Sequence, residues 1–475
     1  MEWIYYRYKY IGQYEKGKFE NQTLIAFAEG TISFERDDNK MEELHALFFG
    51  RSDDLSLGKR NLLKSVAEGY QKYPNRTCRT PQSPQQHLYL VYVDIAFTEL
   101  KSLAMLELSW LLLRQFGRTG FTVGQKIVRE GFERRMNRTR KLIKDQMSGA
   151  DQTVWRCDPQ RPKAGVTYDE VTRRFVESDL KVCLSAENSH RRYEFIQGEG
   201  GRHLGRAKGC SRGMDTAKSW VSWFVKCDYC FCLCDEEGLQ SDRYFNLRPV
   251  TADMGRNRVV TGLRFIKHNR IFHLQIQEGE LLTHGVINGT TLQWKPLDSY
   301  SISDEDVRQD VDYHALSYQN RSINLVEVRD HSDFLVTGLR FQVVGGHLNL
   351  EAQFRGFDFK SGQLTEQSYW SSAGTNKARR KLALENSKVF SETSTSSEPY
   401  PSDNDQYVEF TNSGLEEDAA QTTVPLIDIQ EVVSDPPVPL SGVGVYYKGS
   451  KGHGGYVAPK LITYDFSQKI ELPII

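Results

Sequence analysis

No uninterrupted apolar run in these 475 residues approaches the eighteen or so that a membrane-spanning helix needs. The nearest candidate, His87 to Phe116, is interrupted by Asp94, Glu99, Lys101, Glu107 and Arg114, and so reads as a buried amphipathic helix. Net charge is scarce too. A formal balance of -1 creates no global field directed at nucleic acid or at an acidic membrane surface. The usual catalytic and metal signatures are missing: there is no HExxH, GxSxG or EF-hand spacing, and the eleven histidines offer no i, i+4 ligand pair on a credible helix. No cofactor or metal is therefore expected. The start, Met1-Glu2-Trp3-Ile4-Tyr5-Tyr6-Arg7, lacks the apolar core of a signal peptide, which taken literally means the cytosol.

The cysteines argue against that literal reading. There are eight: Cys78, Cys157, Cys183, Cys210, Cys227, Cys230, Cys232 and Cys234. An even count with four members crowded together fits a disulfide framework made in an oxidising compartment. Five glycosylation sequons, at Asn21, Asn75, Asn137, Asn288 and Asn320, lean the same way. Secretion is the expectation, with a signal peptide upstream of the first residue given. Within Cys227-Asp228-Tyr229-Cys230-Phe231-Cys232-Leu233-Cys234, an extended chain points Cys230, Cys232 and Cys234 to one face, too constrained to bridge neatly to one another. The cluster is expected to be a hub whose members reach Cys78, Cys157, Cys183 and Cys210. Two rivals are weaker. A zinc site needs a second half-motif beside the CxxC, and thioredoxin-like chemistry needs a βαβ context.

Aromatic content is high, with 24 Phe and 23 Tyr, which favours folded β-rich structure. Thr23 to Phe34 fits either a short strand or a helix. Helices are expected over roughly 55–73, over 86–115 with a stripe of Leu88, Val91, Ile95, Leu103, Leu106 and Leu113, and from Thr122 to about Met147. Thr122 and Gln125 have capping-box spacing. The last helix carries eight Lys and Arg between Lys126 and Lys144, which reads as a solvated face or, alternatively, as a docking surface for an anionic partner.

The C-terminal half contains a repeat. Val260-Thr261-Gly262-Leu263-Arg264-Phe265 returns 76 residues later as Val336-Thr337-Gly338-Leu339-Arg340-Phe341. Each copy is followed by an alternating run, His273-Leu274-Gln275-Ile276-Gln277 and His347-Leu348-Asn349-Leu350-Glu351, so each is a β-hairpin with one apolar face. Residues 386–439 are rich in Ser, Thr and Pro, with eleven acidic residues against Lys388 alone, and read as disordered. Strand pattern returns from Gly442 to Phe466 around Gly449-Ser450-Lys451-Gly452-His453-Gly454-Gly455. This turn lacks the GK[ST] of a phosphate loop and is read as the turn of a third hairpin. The expected fold is α+β. A helical lobe spans 1–150, a cysteine-rich connector 151–240, and an antiparallel β-sandwich of repeated hairpins 241–372 and 440–475. A disordered insertion occupies 373–439.

The polar sides of the two repeats, His273, Gln275 and Gln277 beside His347, Asn349 and Glu351, with Arg264 and Arg340 at equivalent places, are expected as adjacent exposed rows. An ordinary solvated sheet face is the leading reading of these rows; the alternative is a carbohydrate-binding face, because amides and carboxylates match sugar hydroxyls.

Together, Thr98-Glu99-Leu100-Lys101-Ser102-Leu103-Ala104-Met105, Trp155-Arg156-Cys157-Asp158-Pro159, the cysteine cluster ending in Asp235-Glu236, the paired hairpins, Pro439-Leu440-Ser441-Gly442-Val443-Gly444 and Lys460-Leu461-Ile462-Thr463-Tyr464 carry a resemblance. They resemble a family of secreted arthropod proteins known only as domain of unknown function 4803, over about residues 85–475. The resemblance implies secretion and brings no activity with it. The expected role is binding or structural, toward carbohydrate or another extracellular protein. The rivals are a membrane-active protein with the plan of some pore-forming toxins, and a hydrolase whose site assembles only in three dimensions.

Overall fold

The structure, a computed structural model, describes residues 21–38, 40–50, 62–72, 74–159, 161–171, 181–184, 193–197, 203–205, 210, 212–216, 221–222, 225–226, 241–317, 319–331, 333–373, 379–384, 387–389, 404–418, 422–450 and 452–470. Two units divide the chain. One comprises residues 1–74, 84–151 and 465–475; the other comprises 75–83 and 152–464.

The first unit is helical: α1 Asn21–Asp38, α2 Lys40–Phe49, α3 Leu62–Lys72, α4 Pro84–Gln115 and α5 Thr122–Ser148. Thr23 to Phe34 is thus helix. On α4 the buried residues Leu88, Tyr92, Ile95, Glu99, Leu103, Leu106, Trp110 and Leu113 recur at three- and four-residue steps, as a 3.6-residue period requires. The expected capping box at the start of α5 is absent. Phe121 is the N-cap and makes no side-chain cap bond, while Gln125 donates to Glu107 at 3.1 Å on α4. The basic face of α5 is not wholly solvated either, because Arg135 is buried. Its Nε and Nη2 donate to Glu99 at 2.8 and 2.9 Å.

The second unit is built mainly of strands, so the chain as a whole is α+β. Its main strands are β1 Thr153–Val154, β2 Tyr168–Asp169, β3 Tyr244–Asn246, β4 Val250–Thr251, β5 Arg258–His268, β6 Ile271–Leu281, β7 Ile287–Trp294, β8 Tyr313–Ala315, β9 Ser322–Arg329, β10 Phe334–Val344, β11 His347–Asp358, β12 Gln363–Ser372, β13 Gln406–Glu409, β14 Leu426–Asp428, β15 Val432–Val433, β16 Leu440–Lys448 and β17 Tyr456–Thr463. A six-stranded and a twelve-stranded sheet, together sandwich-like, share one core. Phe265 of β5 stacks on its repeat counterpart Phe341 of β10, centroids 6.2 Å apart.

The registers show that this sandwich is three versions of one ladder. Each hairpin, β5–β6, β10–β11 and β16–β17, slips register at the residue before its glycine: Thr261, Thr337 and Ser441. All three are buried, and their hydroxyls donate across the hairpin, to Gln277 Oε1 at 3.0 Å, Gln353 O at 3.4 Å and Thr463 O at 3.0 Å. A parallel strand lies beside each second hairpin strand: Tyr244 opposite Ile271, Ser322 opposite His347, Leu426 opposite Tyr456. The expected antiparallel sheet therefore carries one parallel ladder per repeat, because this strand precedes its hairpin and crosses over the first hairpin strand, and Arg380–Leu382 adds a further parallel pairing with β13. Each parallel strand then runs on to the next hairpin. Thr251 meets Gly338, Arg329 meets Gly442, and Val433 meets Gly262. The ring of pairings closes on itself, which leaves no edge at these positions.

Close approach explains the glycines. A Cβ on Gly262 would lie 2.7 Å from Val433 Cγ1, one on Gly338 2.8 Å from Thr251 Cγ2, and one on Gly442 2.6 Å from the Val328 carbonyl oxygen. Gly442→Ala should cost about 1–3 kcal/mol in denaturant unfolding, while Gly289→Ala, with nothing within 4 Å, should cost less than half of that. Equal losses at the two positions would remove the packing argument.

Three expectations are corrected here. Of the 373–439 insertion, residues 373, 379–384, 387–389, 404–418 and 422–439 are described and supply structure: Leu382, Val408, Phe410, Ile427 and Val432 lie in the core, and β13, β14 and β15 are ladder members. A low apolar fraction over the whole stretch concealed short apolar runs that the ring needs. The assignment of residue 151 onward to a connector also fails at β1 and β2, which complete the third ladder against β17 and β14. The disulfides differ as well. Cys78 joins Cys157 with Cα atoms 4.9 Å apart, and Cys183 joins Cys210 at 5.6 Å. The four dispersed cysteines thus pair among themselves and are closed to the crowded cluster; Cys227, Cys230, Cys232 and Cys234 lie outside the described residues.

Candidate ligand-binding face

The hairpin turns set the register of the polar rows. Asn269 and Arg270, and Gly345 and Gly346, all have positive φ, the two-residue geometry that matches strand twist. With turns of equal length, Arg264 stands opposite Gln275 and Arg340 opposite Glu351. The counterpart of His273 is therefore Asn349, and that of His347 is Ile271. The two histidines are not equivalent.

The rows are also not exposed. His273, Gln275, Asn349 and Glu351 are buried, and Gln277 and His347 are half-buried. Alternation correctly assigns these side chains to the face opposite the core, but residues 295–313 cover that face beside His273. Tyr300 caps the histidine ring at 5.9 Å and packs with Tyr244, Ile271 and Ala315. Arg248 lies 4.3 Å over the Tyr300 ring and pairs with Asp298 at 2.9 Å and Asp312 at 2.8 Å. Burial, with a smaller push from His268, lowers the His273 pKa to about 4, and its Nε2 has no hydrogen-bond partner. On the other repeat, His347 Nδ1 lies 3.1 Å from Asn324 Oδ1, and Asn324 donates to Asn349 at 3.0 Å. Burial also lowers the His347 pKa.

What does reach solvent is a pair of shelves. Arg264 donates to Gln275 Oε1 at 2.7 Å and lies 4.3 Å over the ring of Trp294. Arg340 donates to Glu351 Oε2 at 2.8 Å and lies 4.4 Å over Trp370. The two arginine side chains are 23% and 28% exposed, and both indoles are half-buried. Trp294 is opposite Gln277 and Trp370 opposite Gln353, so each shelf spans all three strands of its meander. The sequence carried a signal for the tryptophans that the hairpin reading passed over: each follows its arginine by the same interval. The third ladder has no shelf. Gly444 and Lys460 occupy the arginine and glutamine positions, and Thr153 stands opposite Ile462 where a tryptophan would be.

Among the sequons, Asn137 and Asn320 are exposed, whereas Asn288 is half-buried and donates to Glu280 at 2.9 Å. The side chains of Asn21 and Asn75 lie outside the described residues. Among the described residues no three His, Cys, Asp or Glu side chains gather as a metal-binding cluster, and no helix is long and apolar enough to cross a membrane.

Residues 75–175 and 173–276 match the model of a family described only as a domain of unknown function, DUF4803. The match runs from the Cys78 segment into the second strand of the first hairpin and stops short of the second hairpin. No curated protein matches the chain.

Proposed function

We propose that the β unit is a non-catalytic binding module of an extracellular protein, that carbohydrate is its ligand class, and that Trp294 and Trp370 are its contact points. The carrying observation is the duplicated, half-exposed Arg–Trp shelf. An indole plane offers an apolar surface to the C–H face of a sugar ring, and a guanidinium with N–H donors to spare suits hydroxyl oxygens. Gln275, Gln277, His347, Asn349 and Glu351 are engaged in internal hydrogen bonds and His273 is buried under Tyr300, which favours surface contact over proton transfer as the available chemistry. The two disulfides support an oxidising compartment.

A single shelf contributes on the order of 1 kcal/mol per hydrogen bond, so affinity for a free monosaccharide should be weak. Two shelves on one scaffold should favour clustered glycans. On an array of multivalent glycans, Trp294→Ala and Trp370→Ala are each expected to lower binding by roughly tenfold, with melting temperature monitored to exclude unfolding. Array binding that survives the double substitution in a folded protein would remove the shelves from the account.

A further inference from the structure

The third ladder, which lacks the shelf, carries a different polar group on its outer face. Lys448 ends β16 and is only 4% exposed, and Asp428 ends β14 at 2%. Both strands flank β17: Lys448 stands opposite Tyr456, and Tyr456 is in turn paired with Leu426, two residues before Asp428. The two side chains reach toward each other across β17, where Ala458, the outward residue after Tyr456, leaves room. The Lys448 Nζ lies 2.5 Å from Asp428 Oδ2 and 3.4 Å from Asp158 Oδ1, and donates to the carbonyl oxygens of Arg156 at 3.2 Å and Cys157 at 3.3 Å. Asp428 is fixed in turn. Its Oδ1 accepts from the Gln430 backbone N–H at 2.9 Å, and its Oδ2 from Gln430 Nε2 at 3.3 Å.

The surroundings are aromatic. Tyr456 lies 5.2 Å from the Lys448 Nζ, Tyr168 packs on Tyr456 at 6.4 Å, and the Tyr446 hydroxyl is buried with no partner. A buried ammonium beside two carboxylates leaves one negative charge in excess, which desolvation penalises. Burial is the main cause of the raised pKa of Asp158, outweighing the pull of Lys448. That carboxyl group is 40% exposed, so its shift is moderated by solvent.

We propose that Lys448 and Asp428 condense to an intramolecular isopeptide bond, with Asp158 as the proton-relaying catalytic residue. The ammonium passes one proton to the Asp428 carboxylate, giving a neutral amine and a carboxylic acid in contact. The amine attacks Cγ. Asp158 takes the second nitrogen proton and returns it to the departing oxygen, which leaves as water. One C–N bond forms, one C–O bond breaks, Asp158 ends as it began, and no oxidant or activating group is required. The Arg156 and Cys157 carbonyls hold the nitrogen in place, and burial of the pair disfavours the charged reactants relative to the neutral amide. The product ties β14 to β16 across β17. This inference stands independently of the binding role.

The test is the mass of the full-length secreted protein after reduction and alkylation. The expected result is a chain lighter by one water, and a branched peptide joining the segments that hold Lys448 and Asp428. Asp428→Asn should instead lose one ammonia, and Asp158→Asn should fold but remain at the unmodified mass. An unmodified wild-type chain whose Lys448 is freely acylated under denaturing conditions would overturn the proposal, leaving a buried ion pair. Full cross-linking in Asp158→Asn would overturn the role of Asp158.

Discussion

Glu99→Ala is expected to destabilise the helical unit by about 3–5 kcal/mol, because it leaves a buried guanidinium without its partner. Glu99 sits on the buried face of α4 between Ile95 and Leu103, where the helical period would place an apolar side chain, and its carboxylate takes two hydrogen bonds from Arg135. Removing it leaves Arg135, among the described residues, an ion pair with the half-exposed Glu42 at 3.8 Å. The pair itself is a weak source of net stability, since two charges were taken from water to form it. The double variant Glu99→Leu with Arg135→Met should therefore recover most of the loss. Denaturant unfolding followed by far-UV circular dichroism decides the matter. A single-variant loss below 1 kcal/mol would mean that Glu42 or water replaces Glu99.

Mild acid should destabilise both units. His45 is buried in the helical unit, with Nε2 3.1 Å from the Thr139 hydroxyl and Nδ1 without a partner. Burial, assisted by the charge of Arg138, lowers its pKa to about 4 from an ordinary 6.5. His273 is lowered to about 4 in the same way, mainly by burial. A folded-state pKa below the unfolded one means that the unfolded chain binds the proton more readily. The stability these histidines allow is thus complete above about pH 6.5 and is lost as pH falls toward about 4. Each group withdraws roughly 3 kcal/mol over that window, acting on its own unit. His45→Leu and His273→Gln should each flatten the pH dependence of the unit that holds the residue, without abolishing the decline caused by carboxylates. If unfolding free energies between pH 7 and pH 4.5 fall as steeply in both variants as in the parent, these histidines are not the cause.

Several elements were legible in the residues and others were not, for identifiable reasons. The two hairpins were visible because alternation and the Val-Thr-Gly step both survive in the second copy. The third ladder kept the step as Leu440-Ser441-Gly442 but lost the arginine and the tryptophan, and its two remaining strands come from residues 153–169. Strands of two residues have no period to read. The outward row was assigned to the correct face. Its exposure could not follow, since alternation reports which side a residue takes and not what covers that side. Composition misjudged 404–439 because a mean over the stretch dilutes Val408, Phe410, Leu426 and Ile427. The buried Lys448 and Asp428 carried no motif, since their meeting depends on two strands flanking a third.

The closed ring of ladders has a consequence for synthesis on the ribosome. The strands of the first two hairpins emerge in order and can find their partners as they appear. Val154, by contrast, waits for Leu461, and Gly262 waits for Val433, because those partners are made long after them. A chain terminated before residue 426 would present the Gly262–Leu263 backbone as a bare template for any passing strand. Synthesis of residues 426–463 is thus itself the event that seals the ring, and products truncated before it are marked for aggregation or disposal by an edge the closed ring does not have.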